Sequence, residues 1–473
     1  MQHNFLRRER LFAMMMRNPL RLRMMLACAV FAGSAGVARA GVVMDAANVA
    51  FNQVRGGAEI TYMLGDEPAI VTLEIQTNTL ANGEGDWVDV GGENVQHVSG
   101  DVNCIVRETG TQRKIYWKAC KDMPERIFTN GTIRAVLTAW ATNAPPDYLV
   151  VGLRKSNDVR FYASTNYLPG GFSSDAYRTT ELLMRKVPAA GVVWKMGIMP
   201  NGAGQTVDKD GDDPARTIPH LVMLTEDYYM GVYEVTQGQY TNMCSKSNNS
   251  EFNNLPDAPL RPVESIGVAE LRGQDTAFGS GIWWPKTGHQ VTDDSVIGQL
   301  RAKTGLDGFD LPTSAQWEYA CRAGTATAYS WGTDDVKGAY CWHSGNTTNA
   351  VNRNGGQHHA AQVVGTRLPN AWCLYDMHGN VEEICLDRIT VGDPYRATFV
   401  ADWAQGGVTI DPDGGEVGDN GSGSASAHTQ IVKNGGSAAE GVRQMRSGAR
   451  WTGGTTFKSY FIGFRLWHPA KFN

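Results

Sequence analysis

From Val42 to about Leu153 the chain alternates apolar and polar residues in short runs split by turn residues. Ala58-Glu59-Ile60-Thr61-Tyr62-Met63-Leu64, Ala69-Ile70-Val71-Thr72-Leu73-Glu74-Ile75, Arg113-Lys114-Ile115-Tyr116-Trp117 and Thr132-Ile133-Arg134-Ala135-Val136-Leu137-Thr138 are the clearest of them. A period of two in β-branched and aromatic residues predicts strands with one buried face, and Gly65-Asp66, Asn82-Gly83 and Asn130-Gly131 supply turns between them. Residues 41–153 are therefore expected to form an all-β sandwich of immunoglobulin or fibronectin type III character. No catalytic constellation occurs in this stretch, which reads as a spacer or adhesion module stiffened near its end by Ala144-Pro145-Pro146-Asp147.

The alternation then fades. Residues 154–186 read as a connector lying against both neighbours, and 187–473 as a second unit in which Gly-rich loops outnumber regular elements. Two helix starts are physically legible there: Thr236-Gln237-Gly238-Gln239 and Thr313-Ser314-Ala315-Gln316 each place Thr three residues before Gln. In that spacing hydroxyl and amide satisfy opposing backbone donors as a capping box. Tyr240, Trp317 and Tyr319, just beyond these starts, are expected in the core rather than against a substrate.

Residues 1–40 differ from everything after them. Basic residues from Arg7 to Arg23, an apolar run from Met24 to Val37, then Ala38-Arg39-Ala40 give the pattern of an export signal cleaved before Gly41. Met14 and Met24 are alternative starts that leave this reading unchanged. The run is shorter than the ~20 apolar residues of a membrane span, so no transmembrane segment is expected. The leader holds seven of the 43 basic residues and one of the 48 acidic ones, so the remainder carries 36 and 47, a formal charge of −11. Such a surface repels nucleic acid and suits cation binding outside the cell.

Seven cysteines follow the leader: Cys104, Cys120, Cys244, Cys321, Cys341, Cys373 and Cys385. Export favours disulfides, and Cys104 with Cys120 is the natural pair because both lie in one small β-rich segment. No CxxC spacing points to zinc or redox chemistry, and Cys321, following Trp317-Glu318-Tyr319-Ala320, is expected to be a buried, inert thiol.

Four ordered motifs carry a resemblance. Met230-Gly231-Val232-Tyr233-Glu234-Val235-Thr236-Gln237-Gly238-Gln239-Tyr240, Leu311-Pro312-Thr313-Ser314-Ala315-Gln316-Trp317-Glu318-Tyr319-Ala320, Leu368-Pro369-Asn370-Ala371-Trp372-Cys373-Leu374-Tyr375-Asp376-Met377-His378-Gly379-Asn380-Val381-Glu382-Glu383, and Ile462-Gly463-Phe464-Arg465-Leu466 resemble the formylglycine-generating enzyme, or sulfatase-modifying factor, family. Val187 to Gly197 resembles that family's opening strand. The resemblance implies an α+β fold: an irregular, C-type-lectin-like domain, here preceded by the sandwich.

The resemblance also implies a structural calcium ion held by the side chains of Asp376 and Glu383 and the carbonyls of Gly379 and Val381. The spacing is compatible, since Gly379 bends a segment with carboxylates seven residues apart, and calcium takes about six to eight oxygens. A second calcium site is implied at Asn346. The segment departs from the family pattern at Glu382 and Ile384, where tryptophans are usual, so local packing must differ. Asp208-Lys209-Asp210-Gly211-Asp212-Asp213 lacks a terminal bidentate glutamate and reads as a solvated turn, Asp411 to Ser424 as a surface insertion, and His358-His359 as an exposed loop.

Oxidases of the family place two cysteines after a Gly-Gly-Ser strand, and their thiolates bind copper(I). Here Gly435-Gly436-Ser437 leads into Ala438-Ala439-Glu440-Gly441-Val442-Arg443-Gln444-Met445-Arg446-Ser447 without a thiol, and no cysteine follows Cys385. Soft copper(I) requires thiolate or thioether ligands, so copper chemistry is not expected. The His-x3-His-x-Glu iron motif of the family's sulfoxide synthases is missing as well, and Arg446, Arg450 and Arg465 resemble arginines that tie the family core together. The expectation is an exported, non-catalytic, calcium-stabilised binding module for a protein or glycan ligand. The alternatives are an oxidase acting on a sulfatase cysteine and a structural partner of an exported enzyme.

Overall fold

The computed structural model describes residues 50–128, 131–198, 219–273, 291–332, 337–390, 407–412, 429–454 and 457–472. Strands dominate, with few and short helices. The leader, the Asp208–Asp213 turn and the Gly421–Ser424 part of the insertion lie outside the described residues.

The alternating segments near the start are strands, as their period predicts. Ala50–Val54, Gly57–Met63, Gln112–Trp117 and Val98–Gly100 form one antiparallel sheet in that order. Ala69–Asn78 centres a second, with Ile133–Trp140 along one side and Trp87–Asp89 and Cys104–Val106 at opposite ends of the other. Ile60, Tyr62, Ile115 and Trp117 from the first sheet share one buried cluster with Val71, Leu73 and Ile75 from the second. Alternation works here because each strand shows every second side chain to that shared interior.

Cys104 and Cys120 do not pair; both are free thiols. Cys104 opens a strand against Val71 in the second sheet, whereas Cys120 sits in the short helix Ala119–Asp122 with its sulfur against Gly56 beside the first. Nearness in sequence did not translate into nearness of the sulfurs, because the strand Gln112–Trp117 and the following turn carry Cys120 away.

The stretch read as a connector is instead part of a sheet. Its strands Val159–Tyr162 and Glu181–Val187 flank Tyr148–Gly152, and the sheet continues through Tyr228–Gly231 to Trp467–Pro469, all antiparallel. Both faces are covered: Leu149, Val151, Leu182 and Met184 join one apolar cluster, while Tyr148, Val150 and Leu183 join another. Continuous apolar runs replace alternation when neither face meets water, which hid these strands from a period-two reading.

A further four-stranded sheet runs Arg450–Gly454, Thr429–Asn434, Glu382–Thr390, Ile462–Gly463, the last pair parallel. Val192–Met196, within the expected opening segment, pairs with His220–Leu224. Both capping boxes form: Gln239 N donates to Thr236 Oγ1 (3.1 Å) and Thr236 N to Gln239 Oε1 (2.9 Å) at the helix Gln237–Met243. The same exchange joins Thr313 and Gln316 at the helix Ser314–Arg322, and Tyr240, Trp317 and Tyr319 are buried. His358 and His359 belong to the strand Gln357–His359 rather than an exposed loop, and Thr347 Oγ1 lies 2.9 Å from the His359 Nδ1.

Candidate functional site

The segment Asn370–Glu383 is shaped by its own side chains and by unusual backbone angles. Asn370 Oδ1 accepts from the backbone N–H groups of Trp372 (3.0 Å) and Leu374 (3.1 Å), while its Nδ2 donates to Ala320 O (2.8 Å) at the helix end. Cys373, Asp376 and Asn380 take positive φ angles of 62°, 56° and 66°, and Gly379 one of 91°. At Gly379 a Cβ would stand 2.1 Å from the Trp342 carbonyl oxygen, so glycine is required by space as well as by angle.

These turns gather charge in the interior. Glu234, Asp376, Glu383 and Arg465 are all buried. Arg465 Nη2 donates to Glu383 Oε1 (2.7 Å) and its Nε to Oε2 (3.0 Å), while Trp317 Nε1 donates to the same Oε2 (2.6 Å). Arg465 also donates to the carbonyls of Gly231 (2.8 Å) and Tyr375 (2.9 Å), so that with Trp317 on Glu383 the pair links all four motifs. Glu234 accepts from Asn380 Nδ2 (2.6 Å) and Val381 N (3.0 Å). Burial, reinforced by Asp376 and Glu383, holds the Glu234 carboxyl well above the usual range, and burial raises Asp376 to about 6. Asp376 Oδ2 accepts from Gly365 N (2.7 Å), whereas its enclosed Oδ1 has no hydrogen-bond partner among the described residues.

The residues implied as calcium ligands are thus brought together only in part. Asp376 and Glu383 converge with Glu234, but both Glu383 oxygens face N–H donors. Of the expected carboxylate set, Asp376 Oδ1 is the oxygen left to meet a cation. Asn346 stands in its own turn, accepting from His343 N (2.8 Å) and donating to Cys341 O (2.9 Å).

The Gly-Gly-Ser segment turns inward. Gly435 and Gly436 have φ of 96° and 67°, Ser437 is buried, and Glu440 Oε2 accepts from Ser437 N (2.9 Å) and lies 3.2 Å from its hydroxyl. Glu382, standing where the family usually has tryptophan, forms a buried ion pair with Lys433. Arg450 donates to Ser314 Oγ (2.8 Å) and Glu318 Oε2 (2.6 Å), so it and Arg465 tie the core as expected. Arg446 Nε donates to the Arg443 carbonyl (3.0 Å) within its own turn.

The nearest thing to a nucleophile pair is Cys321, whose sulfur lies 3.4 Å from His378 Nε2. His378 Nδ1 must carry the proton, because it faces the Met445 carbonyl oxygen at 2.6 Å. Burial pushes the thiol up and lowers the imidazole to about 4, which disfavours a thiolate–imidazolium pair. The arrangement is a satisfied polar core contact.

Sequence reasoning missed three contributors: Glu234 as a buried carboxyl, Trp317 as a donor to Glu383, and Lys433 as the partner of Glu382. A signal for Glu234 existed, since a lone carboxylate within Met230-Gly231-Val232-Tyr233-Glu234-Val235 sits among residues that all bury. Nothing local marked Lys433, whose partner lies 51 positions earlier.

A family model described as the sulfatase-modifying factor enzyme 1-like domain matches residues 185–469. Chaperone protein LppX of Paenibacillus barcinonensis is 27% identical over 177 residues, covering 34% of this chain and 61% of the relative. Formylglycine-generating enzyme of Mus musculus is 26% identical over 242 residues, covering 46% and 62%. The chain thus spans less than two thirds of either relative. Among solved structures, Treponema denticola variable protein 1 is 22% identical with a TM-score of 0.41, covering 61% of this chain and 95% of its own. PvdO from Pseudomonas aeruginosa is 19% identical at the same TM-score of 0.41, covering 61% and 94%. The family match takes in all four motifs and the sheet and buried charges they build, and the chain belongs to the sulfatase-modifying factor enzyme 1-like family.

Proposed function

We propose that this protein is an exported, non-catalytic member of the family, in which a β-sandwich carries an irregular, C-type-lectin-like domain that binds a ligand. One observation carries the non-catalytic reading: between Gly435 and Phe464, where the family's oxidases hold their copper thiolates, there is no cysteine. Cys321 and Cys385 do not substitute, because both are fully buried and burial raises both thiols. A soft ion held by two thiolates has no donors there. The test is a mass-shift assay on a Cys-x-Pro-x-Arg sulfatase peptide with copper and oxygen supplied. No conversion to formylglycine is expected; copper-dependent turnover that survives purification controls restores the oxidase reading.

The sandwich reading rests on the two N-terminal sheets and their shared cluster. Export rests on the sequence pattern before Gly41, and mass spectrometry of the protein recovered from its native host tests that start; no helix among the described residues is long and apolar enough to cross a membrane. A structural calcium ion is proposed at Asp376, supported by its enclosed, unpartnered oxygen. Glu383 then acts through Arg465 and Trp317 rather than on the ion. The likeness to a chaperone protein favours a second reading, a structural partner of an exported enzyme. Co-expression that raises the yield of an active exported enzyme, with no effect on its peptide chemistry, distinguishes it.

A further inference from the structure

A polar cleft opens between the turn at Arg154, the Thr179-Thr180 corner, the helix Gln237–Met243 and the loop 248–259. Its volume is about 680 Å³, within the range of small-ligand sites. It shares no residue with the Gly435–Arg450 segment, so its test stands apart from that of the catalytic reading.

The walls are fixed before any ligand arrives. Asn242 Nδ2 donates to Gly238 O (2.8 Å) and Asn248 Nδ2 to Gln237 Oε1 (3.0 Å), while Asn253 Nδ2 reaches Asn248 O (3.2 Å). A Cβ on Gly238 would lie 2.7 Å from the Pro259 carbonyl oxygen, so helix and loop are in close contact at the cleft floor. Asn242 Oδ1 and the Thr180 hydroxyl make no side-chain hydrogen bond among the described residues and remain able to meet a ligand. Leu255, Pro256 and Pro259 add apolar patches beside these groups.

The charge pattern selects the ligand further. The protein is acidic overall, with a formal charge of −5, yet among the described residues no carboxylate lines the cleft and Arg154 does. The neighbouring acids are already neutralised, Asp175 by Arg178 and Asp257 by Arg261 (2.6 Å). Lys303 stands directly behind, donating to Leu153 O (3.1 Å) and to Asn242 O. Arg154 is exposed and has no ion-pair partner among the described residues.

We infer that this cleft binds an acidic saccharide, its carboxylate on Arg154, its hydroxyls on the amide and threonine groups, and its apolar ring faces on the proline and leucine side chains. A guanidinium matches a carboxylate in planar, two-bonded geometry, and ring hydroxyls are both donors and acceptors, as the amides require.

The probe is digalacturonate, with galactobiose as its neutral counterpart, titrated calorimetrically into the full mature protein. Digalacturonate is expected to bind more tightly than galactobiose, and Arg154→Gln to weaken it by about tenfold or more while leaving galactobiose unchanged. Asn253→Ala should weaken both. Unchanged melting temperatures in both variants separate site loss from unfolding. No digalacturonate binding, equal affinity for the two sugars, insensitivity to Arg154→Gln, or displacement by acetate at matched concentration each overturns the assignment.

Discussion

Arg465 and Glu383, 82 positions apart in the chain and both buried, meet through three short N–H···O contacts that leave no Glu383 oxygen unbonded. Removing one partner leaves the other as an uncompensated buried charge, which typically costs about 3–5 kcal/mol. Glu383→Ala is therefore expected to lower the urea midpoint sharply. Glu383→Gln combined with Arg465→Met should recover much of that loss, since it removes both charges together. Equal loss in the single and double variants would show that the shape of the pair, not its charge balance, matters.

Gly379 and Gly110 both have positive φ, 91° and 66°, but a Cβ at Gly379 meets the Trp342 carbonyl at 2.1 Å while at Gly110 it meets nothing within 4 Å. Gly110→Ala should cost about 1 kcal/mol from backbone conformation alone, and Gly379→Ala clearly more because a backbone carbonyl must move. Thermal melts of the two variants decide this; similar shifts would count against the packing account.

Glu264 is buried, accepts from Phe252 N (3.0 Å) and Ser265 Oγ (2.8 Å), and is raised by burial to about 7. The native state therefore favours its protonated form. Its contribution is fully present below the ordinary glutamate range and is lost as pH rises through about 7. Glu264→Gln should gain stability relative to the parent between pH 5 and pH 8, by roughly 2–3 kcal/mol. Denaturant titrations at several pH values read this directly, and a pH-independent difference between the two proteins refutes it.

Cys120 is exposed and Cys104 half-buried, whereas Cys321 and Cys385 are fully buried. Native-state alkylation should modify Cys120 fastest and leave Cys321 and Cys385 untouched until denaturant is added. A peptide map showing Cys104 linked to Cys120 before reduction would contradict the free thiols.

Calcium is expected to raise the melting temperature, and Asp376→Asn to abolish the gain, because an ion that binds only the folded state stabilises it by linkage. The same temperature in saturating calcium and in chelator would remove the calcium proposal.

Local physics was legible in the sequence wherever it was self-contained. The alternating strands near Ile60, Leu73 and Ile115, the capping boxes at Thr236 and Thr313, and the burial of Trp317 each depend on neighbours a few residues away, and each is present. The glycine at position 379 was also readable as a sharp bend, because only backbone freedom explains glycine between two carboxylates there. Tertiary structure decided the rest. Tyr148–Gly152 and Glu181–Val187 are buried on both faces, so their sequences carry no period, and only their pairing with each other, extended by Tyr228–Gly231 beside Glu181–Val187, makes them one sheet. Glu383 read alone is an oxygen ligand; with Arg465 folded against it, it is an acceptor for a guanidinium and an indole. A carboxylate's role is set by whichever charge the fold brings to it, and that partner was 82 residues away.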